Sequence, residues 1–150
     1  MIYTPMTRRA ASIAYRAHEG QFDKSGLPYI FHPWHLAESM PDEVSCTVAL
    51  LHDVVEDTQV TFEQLKEAGF PAEVLKPLRL LTHDKAVDYM DYIRALQYDP
   101  VARLVKLADL AHNSDTSRLD QLPPGAERKL KLYRQATDLL EKRQAEAEKR

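Results

Sequence analysis

The sequence has little cysteine and no long hydrophobic run. Cys46 is the single cysteine among 150 residues, so no disulfide can form within the chain, and a reducing compartment, most simply the cytoplasm, is expected. No window approaches the roughly 18 apolar residues that a membrane-spanning helix needs. The N-terminus likewise lacks the apolar stretch of a secretory signal. These absences predict a protein without a membrane partner.

Positive charge is not in excess either. The 20 lysines and arginines are outnumbered by 23 aspartates and glutamates, which gives a net charge of −3 at pH 7. A general nucleic-acid-binding protein is usually basic overall, so this balance argues against one. With 44% hydrophobic and 29% charged residues, the composition is that of a folded globular protein. The length favours one domain over residues 1–150.

Glycine is scarce, with four residues in the chain against a usual share of about 7%. Apolar residues recur at helical spacing in nearly every segment, so we predict an all-α domain, a single helical bundle of about eight helices. The predicted helices cover about 4–18, a second from residue 32, 41–55, 61–69, 71–82, 86–97, 99–113 and 125–147. Residues 19–31 are predicted to form a loop, and a loop of this length is often functional.

The chemically informative stretch follows an apolar run that ends at Leu51. It places His52 and Asp53 where a buried carboxylate is costly unless it is paired or bound to a metal. Glu56 and Asp57 stand three and four residues after Asp53, which puts all three carboxylates on one side of a helix. Neighbouring carboxylates repel one another, so their clustering predicts a bound cation.

Other residues offer further ligands for such a cation. Asp109 stands in the largely apolar helix 105–113, Asn113 lies one turn later, and His32 precedes Pro33 at a loop–helix boundary. Two histidines and two aspartates with open coordination positions suit Mn²⁺ or Fe²⁺ better than a closed zinc site. Taken alone, His52 could equally be a satisfied core histidine and Asp109 an ion-pair partner of Lys106.

Four blocks of the sequence, in the same order, resemble the HD-superfamily hydrolase domain of the RelA/SpoT type, in particular the small stand-alone alarmone hydrolases. The blocks are AHEGQFDKSGLPYIFHP (17–33), LLHDVVEDT (50–58), LLT (80–82) and VKLADLAHN (105–113), within a motif core of about 10–120. The resemblance implies an HD-type bundle that splits (p)ppGpp into GDP or GTP and pyrophosphate. It also implies the metal ligands His32, His52, Asp53 and Asp109, usually around Mn²⁺.

Roles for further residues follow. Glu56 and Asp57 are expected to orient the attacking water and to act as general acid and base, although a solvated pair at a helix end is the alternative. Lys106 is expected to contribute positive charge. The resemblance implies that Lys24, Ser25, Thr116 and Leu119 line a guanine pocket, that Asn113 contacts the ribose or 5′-phosphate side, and that Tyr29 supports the loop. A solvated turn is the alternative for Lys24 and Ser25.

One residue departs from the pattern of the resemblance, because Asp23 stands where many members carry an arginine that stacks on the base. An acidic residue cannot stack in this way, and it slightly repels phosphates. Two alternatives therefore stay open: an HD phosphohydrolase acting on another nucleotide or coenzyme phosphate, such as NADPH, and a non-catalytic nucleotide sensor. A chain of this length has no room for a synthetase domain, so we expect degradation of the alarmone without synthesis.

The remaining histidines are interpreted without a direct chemical role. His83 and Asp84 form a second His-Asp pair, but they lie in a polar segment and are predicted to be a solvated turn. His35 is expected on a helix surface, and His18 and His112 are expected to lie behind the ligands or in the core. The last helix is expected to pack on its own domain.

Overall fold

The computed structural model describes residues 1–149, and within them it contains nine α-helices and one 3-10 turn. The helices are α1 (Pro5–Ala17), α2 (Phe31–Glu38), α3 (Glu43–Leu51), α4 (Val54–Asp57), α5 (Phe62–Glu67), α6 (Ala72–Leu81), α7 (Tyr89–Leu96), α8 (Pro100–Ser114) and α9 (Ala126–Glu148). The 3-10 turn, Thr116–Arg118, follows α8. None of these helices is both long enough and apolar enough to cross a membrane.

Side-chain caps explain where several helices begin. Thr4 and Thr61 each form a capping box, the latter with Gln64, and each satisfies backbone groups that an open helix end leaves unpaired. Asp99 accepts hydrogen bonds from the backbone N–H groups of the first turn of α8, and Pro100 fits the first helical position. Most predicted boundaries therefore agree with the structure to within a few residues.

Two predicted helices differ from the structure. The helix predicted over 41–55 is interrupted at His52 and Asp53, which form a turn between α3 and α4. The helix predicted from residue 86 begins only at Tyr89, because Asp84 accepts a hydrogen bond from the Ala86 N–H and holds that segment in a turn. Both differences matter, since both turns border the site described below.

Helix α3 forms the centre of the fold. Its residues from Ser45 to Leu51 are all buried, and it packs against α1, α2, α6 and α8. Complete burial of a leucine such as Leu50 is worth about 1.5–3 kcal/mol relative to exposure. Because α3 is enclosed on every side, the turn at its C-terminal end holds His52 and Asp53 inside the molecule.

Helix α9 packs against α7 and α8, as expected. Its buried residues are Ala136 and Leu140, and Gln144 accepts a hydrogen bond of 2.7 Å from the buried guanidinium of Arg103. Arg103 also donates to the Gln97 carbonyl oxygen at 2.7 Å. These contacts fix α9 beside α8, so its first turns form one wall of a cavity.

Candidate metal centre and adjoining cavities

Four side chains from separate parts of the sequence converge in the interior. His32 comes from the first turn of α2, His52 and Asp53 from the turn after α3, and Asp109 from α8. One potential donor atom from each lies within 4.8 Å of the others. The Nε2 atom of His32 is 2.7 Å from Asp109 Oδ1, and that of His52 is 2.9 Å from Asp53 Oδ2. The structure thus brings together all four residues that the sequence predicts as metal ligands.

The ring of His52 has the orientation of a metal-ligating histidine. Its Nδ1 atom lies 2.6 Å from the carbonyl oxygen of Ala49, so this nitrogen must carry the proton and donate. The Nε2 atom is buried, faces Asp53 and Asp109, and has no hydrogen-bond partner among the described residues. A ligating histidine is commonly held by such a bond from its other ring nitrogen. The residues present therefore fit a metal ion.

His32 receives equivalent support from a second ring. Its Nδ1 atom lies 2.6 Å from Nδ1 of His112, and the two rings stack with centroids 4.9 Å apart. Burial, together with the charge of His32, lowers the pKa of His112 to about 4, so His112 is neutral at pH 7. A neutral His112 can accept a hydrogen bond from the protonated Nδ1 of His32, which leaves His32 Nε2 free to face Asp109. His35, exposed on α2, stacks on the outer face of His112.

Charges around Asp109 keep its carboxylate ionised. Burial alone would raise the pKa of Asp109, but the charge of Lys106 and the two histidines that face the carboxylate outweigh burial and hold it well below its usual value. Lys106 Nζ lies 3.0 Å from Asp109 Oδ2, and Asn113 donates to Oδ1 at 3.1 Å. Lys106 is therefore an ion-pair partner of Asp109 as well as a candidate for substrate contact.

Tyr29 connects the loop before α2 to the buried cluster. Its hydroxyl donates a hydrogen bond to Asp53. Burial and the negative charge of Asp53 raise the pKa of Tyr29 above its usual value, so the hydroxyl remains a donor. The ring of the buried His18 packs 4.9 Å from the Tyr29 ring. Tyr29 thus joins the loop to the cluster and positions one of its carboxylates.

Glu56 and Asp57 lie beside Asp53 although α4 is separate from α3. One carboxylate oxygen from each of the three residues lies within 4.8 Å of the others. Burial, assisted by the charge of Asp53, raises the pKa of Asp57. The pKa of Glu56 is also raised by burial, even though a 2.7 Å hydrogen bond from the His83 N–H opposes this shift.

A small cavity of about 210 Å³ adjoins these carboxylates. His83, Tyr89, Tyr92 and Lys106 form its far wall. The prediction of a solvated turn was wrong for His83, since its half-buried ring stacks on Tyr92 at 4.5 Å. Its neighbour Asp84 is exposed, as predicted. No local signal distinguishes the two residues, because the burial of His83 comes from the packing of α7.

A larger cavity of about 430 Å³ lies on the other side of Tyr29 and Asp57, which line both cavities. Its walls are the loop before α2, the segment after α8 and the first turns of α9. Five of the residues predicted to bind substrate line it: Lys24, Tyr29, Asn113, Thr116 and Leu119. Lys106 lines the smaller cavity instead, and Ser25 lines neither of the two.

Asp23 organises the loop that forms one wall of this cavity. Its Oδ1 atom accepts hydrogen bonds from the Ser25 N–H at 2.9 Å, the Ser25 hydroxyl at 2.6 Å and the Leu27 N–H at 3.0 Å. Gly26, with φ +84°, supplies the left-handed turn between them. The Ser25 hydroxyl is thereby occupied, which explains why Ser25 does not face the cavity.

The second oxygen of Asp23 faces a residue that the sequence analysis did not identify. Arg118 Nη1 lies 3.3 Å from Asp23 Oδ2, and Arg118 Nη2 lies 3.3 Å from the His112 carbonyl oxygen. Arg118 lines the larger cavity, so a planar cation is present beside Asp23, where the resemblance leads one to expect a loop arginine. The pairing joins residues 95 positions apart, and no sequence pattern predicts it.

Comparisons with known proteins identify relatives in sequence and in fold. No family model matches the chain. A guanosine-3′,5′-bis(diphosphate) 3′-pyrophosphohydrolase of Haemophilus influenzae is 41% identical over 132 residues, covering 79% of this chain and 19% of that protein. The bifunctional (p)ppGpp synthase/hydrolase SpoT of Escherichia coli is 37% identical over 137 residues, covering 82% and 19%. The chain thus spans about a fifth of the length of these bacterial relatives.

A smaller relative and a solved structure extend the comparison. The human guanosine-3′,5′-bis(diphosphate) 3′-pyrophosphohydrolase MESH1 is 38% identical over 117 residues, covering 69% of this chain and 65% of that protein. The solved structure is of a metazoan ortholog of SpoT that hydrolyzes ppGpp and plays a role in starvation responses. It superposes with a TM-score of 0.73 at 24% identity, over 93% of this chain and 88% of the other.

The structural match confirms the predicted fold class, an all-α bundle. The sequence matches confirm the resemblance found in the motifs, since the chain is similar to proteins named as (p)ppGpp hydrolases.

Proposed function

We propose that this chain is a metal-dependent (p)ppGpp 3′-pyrophosphohydrolase, which converts ppGpp or pppGpp and water into GDP or GTP and pyrophosphate. The observation that carries the proposal is the position of the four-donor cluster. His32 lines the larger cavity, and His52, Asp53 and Asp109 line the smaller one, so the cluster is accessible from a nucleotide-sized space. The similarity to proteins named as hydrolases of this substrate supports the same choice.

His32, His52, Asp53 and Asp109 would hold the metal ion, for which we propose Mn²⁺. Imidazole and carboxylate donors suit this ion, and the unpartnered Nε2 atom of His52 supplies a lone pair for it. A divalent cation at this place would lower the pKa of a coordinated water and offset the negative charge of the substrate's phosphates. The neutral His112 would keep the ring of His32 in the orientation required of a ligand.

Glu56 and Asp57 would move the protons. Hydrolysis requires that water lose a proton as it attacks the phosphorus atom, and that the ribose 3′-oxygen gain one as its bond to phosphorus breaks. Carboxyl groups with raised pKa values are suited to both tasks near neutral pH, and such groups contribute about 10²–10⁴-fold to a rate. Either carboxyl group can take either role in this geometry.

The larger cavity would hold the nucleoside. Leu119 supplies apolar surface for a base, while Lys24 and Thr116 supply polar contacts. Asn113 lines both cavities, and a contact with the ribose would place the 3′-diphosphate toward Asp57 and the cluster. Lys106 and Tyr89 line the small cavity that would receive the diphosphate.

A substrate panel tests the proposal. Purified protein is incubated with Mn²⁺ and with ppGpp, pppGpp, GTP or NADPH, and nucleotide products and pyrophosphate are measured, together with the metal content of the protein. We expect pyrophosphate and GDP or GTP from the first two substrates, and no turnover after EDTA treatment until Mn²⁺ is restored.

Two other outcomes of this substrate panel would reject the proposed function. Turnover of NADPH alone would favour a coenzyme phosphohydrolase, the alternative that Asp23 keeps open because it replaces a base-stacking arginine. Tight binding of ppGpp without turnover under any divalent metal would indicate a sensor. The cytoplasmic location expected from the single cysteine stays a prediction.

A further inference from the structure

A buried histidine and a half-buried glutamine connect the end of α1 to the end of α4. His18 follows α1 and is only 2% exposed, and its Nδ1 atom lies 2.8 Å from Oε1 of Gln21. The other end of the same amide is bonded as well, because Gln21 Nε2 donates to the carbonyl oxygen of Asp57 at 2.9 Å. This second bond joins residues 36 positions apart. Neither His18 nor Gln21 lines the two cavities.

The direction of both hydrogen bonds follows from the groups that make them. A carbonyl oxygen can only accept, so the amide nitrogen of Gln21 must face Asp57 and the amide oxygen must face His18. His18 Nδ1 therefore carries a proton and donates it to this bond. Burial lowers the pKa of His18, so the ring is neutral at pH 7 and holds this single proton. His18 thus fixes the orientation of the Gln21 amide.

Helix α4 depends on contacts of this kind. It consists of four residues, and helices this short are unstable in water on their own. The last carbonyl oxygens of a helix have no partners within it, and Gln21 supplies one to Asp57. Glu56 and Asp57 both belong to this one turn, so the bond from Gln21 fixes the backbone of the carboxyl groups that are assigned to proton transfer.

The backbone of Gln21 makes a separate contact with the site. Its carbonyl oxygen accepts a hydrogen bond from the Tyr29 N–H at 2.9 Å, and the Tyr29 hydroxyl donates to Asp53. A change of the Gln21 side chain leaves this backbone bond in place. The contribution of the side chain can therefore be measured apart from that of the loop.

We propose that Gln21, oriented by His18, is a positioning residue that holds Asp57 where proton transfer requires it. The inference rests on the proposed function and concerns residues outside both cavities. A displacement of about 1 Å in a reacting group can lower a rate about 10²-fold. Because its polar atoms bond only to His18 and Asp57 among residues 1–149, the Gln21 side chain acts on the reaction through Asp57.

The test reverses one hydrogen bond without changing the shape of the side chain. Gln21→Glu keeps an acceptor for His18 but places an oxygen where the donor to Asp57 was. Gln135→Glu, at an exposed position of α9 outside both cavities, is the matched control. The measured quantities are kcat, KM and metal content with ppGpp and Mn²⁺, and melting temperatures check that each variant is folded.

We expect Gln21→Glu to lower kcat about 10- to 100-fold, with KM and metal content within about twofold of the wild type. Gln135→Glu should behave as the wild type. In a double-mutant cycle, Gln21→Glu should have little further effect once Asp57→Asn has removed the carboxylate. Equal losses in the two backgrounds, or an unchanged kcat, would overturn the proposal.

His18 provides a second pair of variants. An asparagine at this position has an amide nitrogen that can replace Nδ1 as the donor to Gln21, whereas an alanine has none. We expect folded His18→Asn to retain about tenfold more kcat than folded His18→Ala. Equal values of kcat would count against the role of His18 in orienting the amide.

Hydrogen exchange separates this inference from the proposed function. Exchange rates of the backbone amides over 54–58 are measured by mass spectrometry on metal-free protein without substrate. We expect faster exchange over this segment in Gln21→Glu, and unchanged exchange over α3. A wild type that hydrolyses no nucleotide would reject the proposed function alone, whereas unchanged exchange over 54–58 would reject the role of Gln21.

Discussion

The metal centre and the larger cavity are built in opposite ways. The metal centre uses buried side chains from α2, from the end of α3 and from α8, all held by the core. The cavity uses the loop before α2, the 3-10 turn and the first turns of α9, where nearly all lining side chains are exposed or half-buried. Tyr29 and Asp57 stand between the two regions.

This difference separates chemistry from selectivity. Residues on packed helices cannot shift without disturbing the core, so the cluster is suited to holding a fixed set of donors. Loop residues can be exchanged at little cost in stability, so we expect the cavity to be where substrates are distinguished. Asp23 illustrates this separation. Its ion pair with Arg118 shapes the loop wall of the cavity and involves none of the four residues of the cluster.

The largest effect is expected from removing one donor of the cluster. Asp53→Asn keeps the shape of the side chain but removes its charge, so metal content should fall to near zero and turnover by about 10³-fold or more. Metal analysis and a pyrophosphate-release assay measure both quantities. Asp138→Asn, at an exposed position of α9, is the control. Undiminished metal content in Asp53→Asn would contradict the ligand assignment.

A smaller loss is expected from Glu56, which belongs to the same region but is assigned to proton transfer. Glu56→Gln should lower kcat by about 10²–10⁴-fold while metal content persists. The exposed Glu63 on α5 provides a matched control as Glu63→Gln. If Glu56→Gln kept full activity, Glu56 would be a structural partner of the His83 N–H and nothing more.

A modest effect is expected from residues of the cavity wall. Changes there should alter substrate affinity without altering the metal centre. Asp23→Asn and Arg118→Gln should each raise KM for ppGpp and leave kcat and metal content nearly unchanged. Because the ion pair is partly exposed, its coupling should be about two- to fivefold in KM in a double-mutant cycle. Strictly additive effects would show that the pair does not act as a unit, and a loss of metal would show that the two regions are not separate.

The smallest effect is expected in the pH dependence of the free energy of unfolding. His112 has a pKa of about 4 in the folded protein against 6.5 as its ordinary value, so the unfolded chain binds the extra proton first as pH falls. The free energy of unfolding of metal-free protein should therefore decrease between about pH 6.5 and pH 4. Urea denaturation at several pH values measures it. His112→Asn retains an acceptor for His32 and should flatten this slope, and an unchanged slope would count against the assignment.

Sequence patterns predicted much of the fold because helix signals are local. Capping residues such as Thr61 and Asp99, and apolar spacing in α6 and α9, depend on neighbours within a turn or two. The break at His52 and the late start of α7 were missed. The start of α7 is delayed by a short turn in which Asp84 accepts a hydrogen bond from the Ala86 N–H, and the helical spacing from residue 86 did not reveal that turn. His83 reaches the site because its ring packs against Tyr92 of α7.

The sequence by itself determined the donor types of the candidate metal centre and the segments that carry them. Buried carboxylates cost free energy unless a cation is bound. Because the aspartates and histidines stand within or beside apolar segments of the sequence, a bound cation could be predicted from the sequence. Only the tertiary structure decided how residues from distant segments pair, as with Asp23 and Arg118, or His32 and Asp109. These pairs join segments far apart in the chain, and their distances are set by how the helices pack.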